Sequence, residues 1–451
     1  MESKVYIDPY PKTMKMLGLE RINIDCGNNT SIVTPANIAK DMVALLPDEV
    51  FIPESKFLDI CCKSGIFLTS IREKLMNSKT MIESFPDDKE RYKYITNNQL
   101  YGIAPNGQCQ MYSVRAVYGT LKVDNPHILC FGVFDQYKTV CLNNNHKMLI
   151  EEMKKEFGQM KFDVVIGNPP YNRGIDIDFV FLGYTLCDKY TCMITPAKWQ
   201  TAEASQGISS QHSYGEFRQV IVPHMSHVVF YPDCKDVFDI GQIDGNTYFL
   251  LDKFKNDGEC IIENKCKIQK YFNSVQKRNI CSRESLNNIG NDVWQHLKSQ
   301  PAYKHFELQE DPDGRYEIWT NTQMASGSRG GMTSCLLTTD GSSQFIGVSR
   351  LRDKYTEAKP DSSTAKVVFA SNSELEARSF LSWLDSKFVR FMLAINISKL
   401  SNIMCNNFFR FVPAPPTGKF DHIYTDEELY KAFNLPQKYI DVIEAVIKER
   451  K

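Results

Sequence analysis

Between Phe57 and Leu251 short apolar runs alternate with stretches whose apolar residues recur every three or four positions. A strand buried on both faces reads as a continuous apolar run, and the helix that crosses over it buries a single stripe. The alternation therefore predicts a parallel sheet with crossover helices. The expected strands are KFLDI (56–60), QLYGIA (99–104), HILCFGVF (127–134), FDVVIG (162–167), YTCMIT (190–195), HVVFY (227–231) and NTYFLLDKF (246–254). Helices are expected over GIFLTSIREKL and QCQMYSVRAVYG. Another precedes the first strand in SIVTPANIAKDMVALLP, where Thr34 and Pro35 occupy the cap and first-turn positions and Ile38, Met42 and Leu45 follow at helical spacing.

Past about residue 255 the pattern changes. A glycine-bearing stretch (ASGSRGGM, 325–332) and short strands such as QFIGVSR lead to the strand-like VVFA, one long helix over SELEARSFLSWLDSKFVRFMLAI, and the loop FRFVPAPP. The expectation is an α/β domain over 1–255, with a seven-stranded, mostly parallel, Rossmann-like sheet, and a mixed α+β domain over 256–451.

A chain of 451 residues can bury the cores of two or three domains. Its formal net charge of −1 argues against a protein that coats nucleic acid non-specifically, yet leaves room for a local basic cleft. None of the 14 cysteines forms a CxxC pair, and neighbours such as Cys187 with Cys192 lack zinc-knuckle spacing, so reduced thiols and no metal are expected. No segment has the apolar length of a membrane helix, and MESKVYIDPYPKTMK lacks the apolar core of a secretion signal. A cytoplasmic protein, in a bacterial or phage-infected cell, is the expectation.

The sharpest local signal is Asn168-Pro169-Pro170-Tyr171, directly after FDVVIG. Ligand sites in open α/β sheets lie at the carboxyl ends of the strands, where this tetrapeptide falls. A conjugated amino group such as adenine N6 is a poor nucleophile because its lone pair is delocalised into the ring. The Asn168 side-chain oxygen and the Pro169 carbonyl can accept its two N–H bonds and localise that pair. Two prolines hold these acceptors in a stiff frame, and Tyr171 can stack on the base. A plain Pro-Pro turn that ends a strand is the bland alternative. The second signal is FLDICCKSGIFL (57–68), in which Asp59 closes a strand and a small-residue turn opens a helix. Such a turn admits a ligand to the backbone amides, and the carboxylate can bind a cationic amine.

With these motifs in this order, preceded by Thr34-Pro35, the chain resembles the gamma class of amino-methyltransferases. The closer likeness is to the adenine-specific methylase part of combined restriction-and-modification proteins. It spans residues 30 to 255 and, less specifically, FRFVPAPP and the closing TDEELYKAFNLPQKYIDVIEAVIKER. The resemblance implies S-adenosyl-L-methionine as methyl donor and adenine N6 in double-stranded DNA as acceptor, reached by base flipping. It assigns Asp59 to the methionine amino group, and Cys62, Lys63, Ser64, Gly65 and Phe67 to the loop around the cofactor. Thr34 and Pro35 would close over its far side, Asn168, Pro169, Pro170 and Tyr171 would form the catalytic turn, and Asp135 could meet the cofactor's adenine. Phe238, after Asp236 and Val237, is the candidate second stacking partner for the flipped base.

The chain departs from the family at Lys63, where a glycine is usual, and at Ile60, where a proline is. Gly102-Ile103-Ala104 lacks the carboxylate that normally holds the ribose. From 321 to 410 there are 11 Lys+Arg against 7 Asp+Glu, so Arg329, Arg350, Arg352 and Lys354 are candidate DNA contacts, with a solvated surface as the alternative. RNA or protein-glutamine methylation, and a non-catalytic DNA-binding subunit, are the competing readings. Any cleavage would come from a separate restriction subunit, and a separate specificity subunit is a further candidate partner.

Overall fold

A computed structural model describes residues 24–25, 30–31, 33–119, 125–131, 142–171, 174–203, 211–232, 234–238, 245–267, 270–320, 350–360, 366–396 and 409–447. Two of the sequence candidates, Asp135 and Arg329, lie outside them.

All seven expected strands form: β1 (Phe57–Asp59), β2 (Leu100–Ala104), β3 (Ile128–Cys130), β4 (Phe162–Gly167), β5 (Cys187–Pro196), β6 (Met225–Tyr231) and β7 (Asn246–Asp252). Two more, β8 (Glu259–Asn264) and β9 (Ser274–Asn279), join the same sheet, whose order is β9-β8-β6-β7-β5-β4-β1-β2-β3. β7 and β9 run antiparallel to their neighbours, and every other pairing is parallel. Among the described residues the sheet therefore has nine strands where seven were expected. Nor does it stop at 255, where the change of pattern placed the first domain's end. β9 hides from the sequence because it is an edge strand: its residues alternate between half-buried and exposed, so SVQKRN shows no apolar run.

Both faces of the sheet are covered. Phe57, Val164 and Ile166 point into one apolar core together with Ile38 and Met42 of α1 (Ala36–Ala44) and Leu68 and Ile71 of α2 (Ile66–Met76). Leu58, Val165 and Phe162 point into the other, against Phe179 and Leu182 of α6 (Ile175–Leu186). The period-2 geometry of a strand sends adjacent apolar residues to opposite cores, so these strands carry no polar face. Between α2 and α6 come α3 (Asp88–Asn98), α4 (Gly107–Tyr118) and α5 (Leu142–Phe157).

Beyond the sheet lie α7 (Asn288–Lys298) and a three-stranded antiparallel sheet, ordered β11-β10-β12, made of β10 (Tyr316–Thr320), β11 (Arg350–Asp353) and β12 (Lys366–Ser371). Helices α8 (Glu374–Asp385), α9 (Lys387–Asn396), α10 (Asp426–Ala432) and α11 (Gln437–Val446) pack around it over a core that includes Phe369, Phe380 and Trp383. The single long helix expected from 373 is two helices. Ser386 leaves the helical region at ψ 148°, its hydroxyl accepts from Val389 N at 3.1 Å, and the Asp426 carboxylate accepts from the next two amides, Lys387 N and Phe388 N. Capping groups that supply acceptors for free amides start a new helix there.

Candidate active site

The turn after β1 is stitched to both neighbouring strands. Ile60 N donates to Ile166 O at 3.0 Å and Cys62 N to Ile103 O at 2.8 Å, which sets the backbone across the carboxyl edge of the sheet. The Asp59 side chain, only 1% exposed, accepts from Cys61 N at 3.0 Å. Burial pushes its carboxyl up to about 7, against the lowering effect of that amide, Cys62 and the Lys63 charge. Gly65 closes the turn at φ 76° and opens α2. An added Cβ there would stand 3.2 Å from Ala116 Cβ and Ser113 Cα, so this position requires glycine for both its backbone and its space. Cys62 Sγ contacts Ser113 Oγ at 3.1 Å, fixing the turn against α4. Lys63 and Ser64 are buried in the same turn, and so is Phe67 at the start of α2.

At the end of β2, Ala104 is fully buried, and Asn106 spends its side chain on capping α4 by accepting from Cys109 N at 2.8 Å. Nothing there replaces the missing carboxylate among the described residues.

Gly167 brings the two motifs together: a Cβ on it would lie 2.9 Å from Ile60 Cγ2 and 3.6 Å from Cys61 N. Next comes Asn168, 3% exposed, whose Nδ2 donates to Thr34 Oγ1 at 3.0 Å. Thr34 itself is buried just ahead of α1 and makes no capping bond to that helix, so the expected Thr34 cap is a contact to Asn168 instead. Pro35 is the residue that precedes α1, and Ala39 N donates to its carbonyl. Pro169 is buried and Pro170 half-buried.

Tyr171 donates from its hydroxyl to Ile194 O at 3.3 Å, and burial raises its pKa well above the ordinary value. Its ring meets that of Phe238 edge-on, with centroids 6.3 Å apart. Phe238 is fixed by Phe238 N donating to Cys234 O at 2.8 Å. The same short helical turn is pinned through Asp236, which accepts from Lys267 N at 2.8 Å. Thr34, Asp59, the 62–67 turn, Asn168–Tyr171 and Phe238 thus gather at one edge of the sheet.

The basic candidates of the second sheet do not behave as a group. Arg352 is buried, with its guanidinium 2.5 Å from Glu317 Oε2 and its Nε on Glu357 O. Its charge is consumed inside the small sheet, which corrects its reading as a DNA contact. Arg350 pairs with Glu357 at 2.8 Å and Lys354 with Asp313 at 2.7 Å, both in solvent. Sequence reasoning missed Ser113 and Gly167, although a glycine directly before the tetrapeptide was a visible signal of close backbone approach.

Residues 98–219 match the family described as Eco57I restriction-modification methylase. An uncharacterized adenine-specific methylase of Mycoplasma pneumoniae (strain ATCC 29342 / M129 / Subtype 1) is 25% identical over 310 residues, 54% of this chain and 71% of that protein. Among solved structures, the type I restriction enzyme EcoKI M protein aligns with 96% of this chain and 75% of its own, at 10% identity and a TM-score of 0.38. The type I restriction-modification methyltransferase subunit of Streptococcus thermophilus aligns with 56% of this chain at 14% identity and a TM-score of 0.33. The chain spans 51% of that subunit, about half its length. The segment of this chain that matches the Eco57I restriction-modification methylase family contains β4 and the complete Asn168–Tyr171 turn.

Proposed function

We propose that the chain transfers a methyl group from S-adenosyl-L-methionine to N6 of adenine in double-stranded DNA, with the adenine rotated out of the duplex. The observation that carries this reading is Asn168, a buried amide at the carboxyl end of β4, held by Thr34 and followed by Pro169, Pro170 and Tyr171.

The residues of the β1 turn fit the donor. Asp59 is a buried carboxylate whose ionisation burial opposes, so a cationic amino group placed beside it would relieve the cost of its charge. Gly65 keeps the turn free of a side chain where a ligand would approach the backbone, and the start of α2 supplies amides. When bound, the donor supplies an activated methyl group on a sulfonium, and transfer from it needs positioning and no Lewis acid.

With Nδ2 of Asn168 committed to Thr34, its Oδ1 and the Pro169 carbonyl are the acceptors for the two amino protons. Both strengthen as the nitrogen becomes tetrahedral, so their effect falls on the transition state. Tyr171 and Phe238 form an aromatic wall for the extruded base, offsetting part of an unstacking cost of a few kcal/mol. The proton lost after transfer leaves from the positively charged methylated nitrogen, and no strongly basic side chain is required.

Incubation with labelled S-adenosyl-L-methionine and unmethylated duplex DNA, followed by nucleoside analysis, tests the reading. N6-methyladenine is the expected product. Label recovered in N4-methylcytosine, in RNA only, or in a glutamine side chain would overturn it.

A further inference from the structure

Asn246 opens β7 and points, with Tyr248 and Leu250, to the face whose core Tyr171 and Phe238 join. The strand stands between β5 and β6. Its register sets Asn246 opposite Pro196 on one side and Tyr231 on the other, each the last residue of its strand. The backbone there is held on both sides: Gly245 O accepts from Ala197 N at 2.8 Å, and a Cβ on Gly245 would lie 2.9 Å from Tyr231 O. Thr247, one residue on, spends its hydroxyl on Thr195 O at 3.3 Å and on Trp199 Nε1 at 3.1 Å. Asn246 therefore projects from a fixed point at the carboxyl edge, on the same face as the catalytic turn's aromatic ring.

A buried amide needs a partner, and Asn246 is 3% exposed. Its side chain donates to the Tyr171 hydroxyl, which itself donates to Ile194 O at 3.3 Å. A phenol has one proton to give and lone pairs to accept with, so the two bonds coexist. Ile194 lies opposite Tyr248, two residues from Asn246 along the same face, so the hydroxyl is tied to two adjacent strands. The ring of Tyr171 is thus held at both ends, by the proline turn at its Cα and by β5 and β7 at its oxygen. Phe238 is fixed separately, through its own backbone bond to Cys234 O. The 65° angle between the two rings is set by groups outside the tetrapeptide.

We propose that Asn246 is a positioning residue for methyl transfer, holding the Tyr171 ring at one angle to Phe238 so that the rotated adenine meets a ready-made stacking face. This rests on the reading of the chain as a DNA adenine methylase. Stacking on aromatic side chains offsets the unstacking of an extruded base, and a ring free to turn offsets less because it must be ordered along with the base. A loosened ring lowers the share of bound complexes in which N6 stands at the methyl group, which is a loss in kcat. Affinity for the duplex rests chiefly on phosphate contacts and changes little.

The test uses the full chain in four forms: wild type, Asn246→Leu, which keeps the volume and removes the amide, Tyr171→Phe, which keeps the ring and removes the hydroxyl, and the double variant. For each, kcat and KM for duplex DNA, duplex affinity and thermal unfolding are measured. Either single change should lower kcat about 3- to 10-fold, the size of one hydrogen bond, with duplex affinity within about 2-fold of wild type. Both changes remove the same bond, so the double variant should lose no more than about 2-fold beyond Tyr171→Phe. A packing role for Asn246 gives the opposite result, with losses that multiply in the double variant and follow the fall in melting temperature. If Asn246→Leu does not fold, Asn246→Ser takes its place in the same cycle, since its short hydroxyl cannot span to Tyr171. Multiplying losses overturn the proposal, as does wild-type kcat in Tyr171→Phe or in the folded Asn246 variant. A wild-type chain that makes no N6-methyladenine fails the underlying reading, whereas multiplying losses in an active enzyme fail this inference alone.

Discussion

The carboxyl edge of the nine-stranded sheet and the interior of the three-stranded sheet both bury charge, and they treat it in opposite ways. Inside the small sheet, Arg352 and Glu317 are both buried and neutralise each other at 2.5 Å. At the large sheet's edge, Asp59 is as buried, yet its partners are an amide and thiol on its own turn and a lysine whose effect is smaller than the burial it opposes. A buried pair that closes on itself is architecture. A buried group left short of a counter-charge is where a ligand belongs, and residue type alone does not tell the two apart.

The largest expected effect probes the closed pair. Arg352→Ala leaves the Glu317 carboxylate buried without its cation, and should cost about 3–5 kcal/mol of stability in denaturant unfolding. The folded fraction should still methylate at the wild-type rate, and a stability change under about 1 kcal/mol would break the contrast. Next comes Asn168→Ala, expected to lower turnover by about 100- to 1000-fold. Cofactor and DNA binding by this variant should remain, and turnover within a few-fold of wild type would remove Asn168 from the chemistry.

Asp59→Asn tests the open group. A folded-state pKa raised to about 7 means that the contribution of Asp59 to stability is fully present below its ordinary range near 4 and is lost as pH rises through 7. The wild-type protein without cofactor should therefore lose about 2–4 kcal/mol between pH 4 and pH 8 from this group. An amide does not titrate and has no such loss, so the Asp59→Asn variant should be the more stable protein at pH 8 and indistinguishable at pH 4. Its cofactor affinity should fall about 10-fold, the size of one lost charge-assisted contact. Unfolding curves at the two pH values and calorimetric titration check both halves. The smallest effect belongs to Thr34→Val, which keeps the shape and removes the oxygen that holds Asn168. A drop in kcat of about 10-fold with KM unchanged is expected, with recovery in Thr34→Ser; equal loss in both variants would make Thr34 a packing residue.

The sequence made different parts of this arrangement legible for definable reasons. FDVVIG forms β4 over the same six residues because its run is almost wholly buried and ends at a proline turn. Phe238 was reached only through the family resemblance, because a lone phenylalanine carries no local signal that separates it from a core residue. The bond between Thr34 and Asn168 joins residues 134 apart, and no local pattern encodes it. Arg352 was misread because a regional excess of basic residues says nothing about which of them already has a carboxylate across a strand. The long helix from 373 failed at Ser386, whose polar side chain competes for backbone partners in a way that apolar spacing does not report.

The continuation of the large sheet through β8 has a practical consequence for anyone dissecting the chain. A fragment ending at 255 would strip β8 from β6 and lay bare the amides and carbonyls of Val228 and Val229 along a flat apolar edge. Such an edge recruits strands from other molecules, so that fragment should form insoluble aggregates even though Asp59, the Asn168–Tyr171 turn and Phe238 are all present. A cut beyond Asn288 keeps β9 as the natural guard, with the exposed Lys277 on it and with Glu284, Ser285 and Asn288 still in place to hold Arg278, and is the shortest boundary from which a soluble half carrying the Asn168–Tyr171 turn can be expected.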